Sequence, residues 1–126
     1  MTKILVIDDD ASLRTVLQAI LAGAGHQVFA ACDGASGLDR LHECRADIVL
    51  TDLLMPDRDG FEAIQQIRHE FPAVKIIAMS GGGKIDAPEF LRIAKLLGAT
   101  RTFLKPFTPS TLLTAIEELE FCATQS

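Results

Sequence analysis

Short apolar, β-branched runs recur along the chain at residues 3–7, 27–31, 47–51, 74–79 and 100–104, and stretches of helical period fill the gaps between them. In the first gap Leu13, Val16, Leu17, Ile20 and Leu21 share one face, with Asp10 as a cap ahead and Gly23 and Gly25 behind. Ala35, Leu38 and Leu41 continue the period in the second gap; Phe61, Ile64 and Ile67 do so in the third, behind Asp59 as a cap. The fourth gap opens on Ser80-Gly81-Gly82-Gly83, a loop by composition. A helix is expected to follow from Asp86, with Pro88 in its first turn and Phe90, Leu91, Ala94 and Leu97 on its apolar face. Thr108 caps the last helix and Pro109 takes its first position, ahead of Leu112, Leu113, Ile116 and Leu119. Five repeats of strand then helix predict an α/β fold, a doubly wound five-stranded parallel sheet covered on both faces by five helices.

Composition narrows the function. With 126 residues and no linker or low-complexity stretch, the chain is expected to form one domain over 1–126, with no output domain. A net charge of -5 argues against a nucleic-acid or anionic-membrane binder, which would carry a basic patch. Cys32, Cys44 and Cys122 are scattered, without metal-ligand or C-x-x-C spacing, and fit reduced, mostly buried thiols in a cytoplasmic protein. Met1-Thr2-Lys3 enters the first strand at once, leaving no signal peptide, and no apolar run approaches the ~20 residues of a membrane span. His26, His42 and His69 fall on expected helix or loop surface without partners in sequence.

The chemistry gathers where strands end. Asp8-Asp9-Asp10 follow the first apolar run, Asp52 follows Ile48-Val49-Leu50-Thr51, and Lys105-Pro106-Phe107 follow Phe103-Leu104. An open parallel sheet places its ligand crevice at those ends. In the strand order 2-1-3-4-5, Asp8, Asp9 and Asp52 meet at one edge of the crevice, and Ser80 and Lys105 approach from the other side. Carboxylates ~4 Å apart repel by ~4 kcal/mol per pair at an effective dielectric near 20, so the cluster calls for a cation. Oxygen-only ligands in a small site suit magnesium better than zinc. Asp52, the one acid on the central strand, is the candidate nucleophile toward a phosphoryl group, with Lys105 neutralising charge and Ser80 donating a hydrogen bond. A mere capping role for the acidic triplet leaves Asp52 unexplained. The glycine run with Lys84 is no phosphate loop, because Ala78 stands at the first glycine position and Ile85 at the Ser/Thr position.

This order of motifs, Asp8-Asp9-Asp10, Thr51-Asp52-Leu53-Leu54-Met55-Pro56, Asp59-Gly60, Met79-Ser80-Gly81 and Lys105-Pro106-Phe107-Thr108, resembles the receiver domain of bacterial two-component response regulators along the whole chain. The resemblance implies a flavodoxin-like fold and a phosphoacceptor at Asp52, fed by a sensor histidine kinase or phosphotransferase and read by a downstream protein target. It also implies a magnesium ion on Asp9, the Asp52 side chain and the Leu54 carbonyl, with Asp8 acting through water. Ser80 and Lys105 would touch the phosphoryl group. Such a protein catalyses only its own phosphorylation and dephosphorylation, and is expected as a monomer or weak dimer.

Two positions depart from the family pattern. Thr102 stands three residues before the lysine, where the family usually has an aromatic switch, and the run Gly81-Gly82-Gly83 follows Ser80. The state change is therefore expected in the backbone of that loop and near Asp86, with Ser80 drawn toward the phosphoryl group. The face of the fourth helix, fifth strand and fifth helix, the family's usual output surface, carries Lys84, Arg92, Lys95 and Arg101 against Glu117, Glu118 and Glu120. Two other functions compete. A haloacid-dehalogenase-like magnesium phosphatase would use Asp8 as nucleophile and Asp10 as acid/base, but Ala11-Ser12 replaces its Gly-Thr and Asp52 has no task in it. A receiver fold acting only as a phosphorylation-independent interaction module is the third.

Overall fold

The computed structural model describes the backbone of residues 2–53, 60–81 and 87–125, and the side chains of these except residues 87 and 121–125. Strand and helix alternate as expected: β1 (Lys3–Ile7), α1 (Ala11–Gly23), β2 (Gln27–Ala31), α2 (Gly34–Cys44), β3 (Ile48–Asp52), α3 (Gly60–Glu70), β4 (Lys75–Ser80), α4 (Ala87–Leu97), β5 (Arg101–Leu104) and α5 (Pro109–Gln125). All pairings are parallel, in the order β2-β1-β3-β4-β5. The fold class and strand order anticipated above are those observed.

Alternation along each strand separates two cores. Leu5, Ile7, Val49, Ile76 and Ala78 face α2, α3 and α4, where Leu41, Ile64, Ile67 and Ala94 cover them. Ile4, Val6, Ile48, Leu50, Ile77 and Met79 face the opposite way, beneath Leu17 and Leu21 of α1 and Leu112, Ile116 and Leu119 of α5. Central β3 is buried at every position, which suits its apolar Ile48-Val49-Leu50 and leaves Thr51 and Asp52 as buried polar groups at its end.

The helix starts follow their capping chemistry. Asp10 accepts hydrogen bonds from the backbone N–H groups of Ser12 and Leu13, and Thr108 Oγ1 accepts one from Thr111. A capping box that periodicity did not announce opens α2: the N–H of Ser36 donates to Asp33 at 2.8 Å, and the N–H of Asp33 donates to the Ser36 hydroxyl. The expected cap at Asp59 and the helix start at Asp86 lie outside the described residues.

Three details correct the sequence expectations. Cys44 is buried but Cys32 is exposed, since it follows the end of edge strand β2 and leaves the core there. His42 has a partner after all: its Nε2 lies 2.9 Å from Glu70 Oε1 across the α2–α3 seam, with its ring edge-on to Phe71. His26 is largely buried, its Nδ1 4.0 Å from Glu120 Oε2, because the chain turns inward there to begin β2. Among the described residues no helix is long and apolar enough to cross a membrane.

Candidate functional site

The C-terminal ends of four strands converge on one charged cluster. Asp52 is the last residue of β3 and Ser80 the last of β4, each one place further into its strand than the apolar runs suggested. Asp8 and Asp9 follow β1, and Lys105 follows β5. One carboxylate oxygen from each of Asp8, Asp9 and Asp52 falls within 4.8 Å of the others. Lys105 reaches over from the far side, its Nζ 3.2 Å from Asp8 Oδ2 and 3.3 Å from Asp52 Oδ1. The Lys105–Pro106 peptide is cis, and the Lys105 N–H donates to the Ser80 carbonyl at 2.8 Å.

The acidic triplet divides its work. Asp10 caps α1, so a capping role accounts for one acid and not for the other two. Asp8 is only 1% exposed; its Oδ1 accepts from the Asp10 N–H at 2.9 Å, and its carbonyl accepts from Arg14 Nη1 at 2.7 Å. Asp9 is exposed at the rim. Asp52 is 6% exposed, and burial pushes its carboxyl above the ordinary carboxylate range; nearby Asp8 and Asp9 push the same way, while Lys105 opposes them. Among the described residues Ser80 Oγ is buried with no hydrogen-bond partner, which is rare for a hydroxyl and suits it to donate to an oxyanion in the crevice.

Gly60, read from sequence as loop punctuation, has a spatial task. Its N–H donates to the Leu53 carbonyl at 2.7 Å, and a Cβ there would collide with the Asp52 carbonyl oxygen and with Leu53 Cα. Only glycine lets α3 begin against the back of the Asp52 backbone. Arg14 was also missed, since an arginine on an amphipathic helix gives no sign in sequence that it will bond the turn after β1. At Gly81 the opposite holds: among the described residues nothing lies within 4 Å of where a Cβ would sit, and its φ is not positive. Thr102 is half-buried in β5, paired in register with Ala78. The Leu54 carbonyl, Met55-Pro56, Gly82, Gly83 and Lys84 lie outside the described residues.

A buried carboxylate, a cation bridging it to a second acid, an unpartnered hydroxyl and an oxygen-only donor set fit phosphoryl chemistry supported by a hard divalent cation. Comparisons with known proteins point the same way. The family model described as "Response regulator receiver domain" matches residues 4–117. The chain is similar to sporulation initiation phosphotransferase F of Bacillus subtilis, at 31% identity over 116 residues covering 92% of this chain and 91% of that protein. It is 36% identical to a probable transcriptional regulator ycf27 of Guillardia theta over 87% of its own length, but spans only 42% of that protein. Among solved structures, chemotaxis protein CheY4 of Vibrio cholerae superposes with a TM-score of 0.85 at 31% identity, covering 94% of this chain and 98% of that one. A CheY-like receiver domain protein of Methanospirillum hungatei does so at 0.88 and 26%, covering 100% and 99%.

Proposed function

Because the chain belongs to the response regulator receiver family, a signalling module of two-component systems, we propose that it is switched by phosphorylation on Asp52. The observation that carries this is the Lys105 ammonium, held 3.3 Å from Asp52 Oδ1; the Ser80 hydroxyl, buried at the end of neighbouring β4 and unpartnered among the described residues, supports it. An Asp52 oxygen attacks the phosphorus of a phosphohistidine on a sensor kinase or phosphotransferase. The new O–P bond forms as the N–P bond breaks, and the electron pair returns to the imidazole. Lys105 and Ser80 then hold the phosphoryl oxygens.

The three carboxylates fit a magnesium ion, with Asp9 and Asp52 as direct ligands and Asp8 acting through water; the family pattern adds the Leu54 carbonyl. Bound there, the ion would neutralise charge on the phosphoryl group. The donor would approach over the apolar groove of Leu13, Val16, Ile20, Pro106 and Phe107, which Lys105 also lines. Ser80 and Gly81 would tighten on phosphorylation, and a downstream protein would read the change in the cytoplasm. The phosphatase alternative is not favoured, since the family match runs through Asp52 and Lys105 as a receiver.

Incubation with acetyl phosphate and magnesium, followed by mass mapping, tests the assignment. A gain of about 80 Da on Asp52, absent in Asp52→Asn, is expected. Label on Asp8 would favour the phosphatase, and no label at all would favour an interaction module that never turns over.

A further inference from the structure

Among the described residues, α4 is the helix least held by the core. Ala94 is its one fully buried side chain, whereas α3 buries Gly60, Ala63, Ile64 and Ile67. Such an element has the low local stability from which moving parts are drawn. Its two ends are tied in different ways. At the C-terminal end the Arg68 guanidinium donates to the carbonyls of Gly98 and Pro72 at 2.8 Å and of Val74 at 3.0 Å. Gly98 has φ +127°, and Arg68 Nε fills the space 2.9 Å from where a Cβ would sit. These directional bonds pin that end to α3 and the start of β4.

Nearer its start, α4 meets α3 through a ring contact, Phe90 edge-on to Phe61 with centroids 5.9 Å apart. Rings in such a pair can slide and tilt at little cost, unlike a guanidinium on three carbonyls. Phe61 directly follows Gly60, which is packed on the carbonyl of Asp52. A displacement of the Asp52–Leu53 backbone therefore reaches the first turn of α3, then Phe90, by direct contact. Below this path the β4–β5 register pairs Ala78 with Thr102, neither of them aromatic. The aromatic residue of β5, Phe103, lies in the opposite core, 5.2 Å from Phe107.

We infer that the Phe61–Phe90 pair is the relay between Asp52 and α4, taking the place of an aromatic gate on β5. The helix pivots about its Arg68-pinned end and alters the surface around exposed Ile93 and Leu96. The relay rests on the phosphorylation at Asp52 proposed above.

Intact mass after treatment of the full chain with acetyl phosphate and magnesium reports the chemistry, and amide hydrogen exchange across residues 87–99 reports the helix. In the wild type, exchange around Phe90 is expected to change by about fivefold or more on phosphorylation, in the range of ordinary allosteric couplings, with little change at Gly98 and Ala99. Phe90→Leu and, independently, Phe61→Leu should label as the wild type does yet lose most of that change. Phe90→Tyr should keep it, and so should Thr102→Val. A labelled Phe90→Leu or Phe61→Leu protein with the full wild-type response overturns the relay alone. A wild type that takes no label overturns the phosphoacceptor assignment and the relay with it.

Discussion

Lys105 Nζ lies 3.3 Å from Asp52 Oδ1, so the central strand and the edge strand β5 are joined at their ends by an ion pair within the crevice. The same ammonium serves Asp8, so removing it takes their shared ion-pair partner from two buried acids. Lys105→Met is expected to destabilise the metal-free protein at neutral pH by roughly 1–3 kcal/mol. Placing the same change in an Asp52→Asn background should recover much of that loss. Denaturant melts of the four proteins give the coupling as a double-mutant cycle, and strict additivity would contradict the pairing.

The raised proton affinity of Asp52 has a definite sign. Its folded carboxyl holds a proton at pH values where the unfolded one has lost it, chiefly because it is buried. The folded state therefore binds more protons in that window, and this group's contribution to stability falls as pH rises from the ordinary carboxylate range through the folded value. In chelator, Asp52→Asn should lack this decline and melt above the wild type at pH 7. Parallel melting curves for the two proteins from acid to neutral pH would refute it.

Magnesium should stabilise the fold through the same carboxylates. A ligand at about 100 times its Kd adds about 2.7 kcal/mol, which is several degrees in a thermal melt of a domain this size. Asp9→Ala should abolish that rise and the metal-dependent labelling. Since Asp9 is exposed and adds only repulsion to the empty cluster, the metal-free variant should be as stable as the wild type or slightly more so. A large drop in its melting temperature without metal would mean that Asp9 holds the fold rather than the ion.

Two glycines near the site should respond oppositely to alanine. At Gly60 the new Cβ meets backbone on the far side, so overpacking should cost about 1–3 kcal/mol and depress labelling. At Gly81 no described residue crowds a new Cβ and φ is not positive, so Gly81→Ala should leave the fold intact or stabilise it by about 0.4–1 kcal/mol. Equilibrium unfolding of both variants decides this, and a destabilised Gly81→Ala would show that the loop needs a conformation only glycine adopts.

What the chain disclosed in advance was whatever depends on period and on position along a strand. Alternating burial and the parallel order made the strand ends, and hence Asp8, Asp52, Ser80 and Lys105, predictable as neighbours. Contacts that depend on the third dimension were not legible. Nothing about Arg68 foretells a guanidinium holding three carbonyls, and nothing about Phe61 or Phe90 separates them from ordinary core residues of the 3.6 period. The α2 cap was missed for a simpler reason: Asp33 is followed by Ser36 at the third helical position, not by the Glu or Gln that marks the usual box. His42 pairs across two helices whose relative placement no local pattern encodes.

Asp8, Asp9, Asp52 and Lys105 all hang from strand termini that the two cores fix in place. Val16 on α1 is 52% exposed and Leu96 on α4 is 82% exposed, so neither is needed to fill the interior. The vocabulary of recognition is thus written on a different part of the molecule from its reactive grammar. Exchanging exposed residues of α1 or α4 for those of a paralogue should redirect which proteins listen or speak to this domain, while leaving the rate of reaction with a small phosphodonor unaltered.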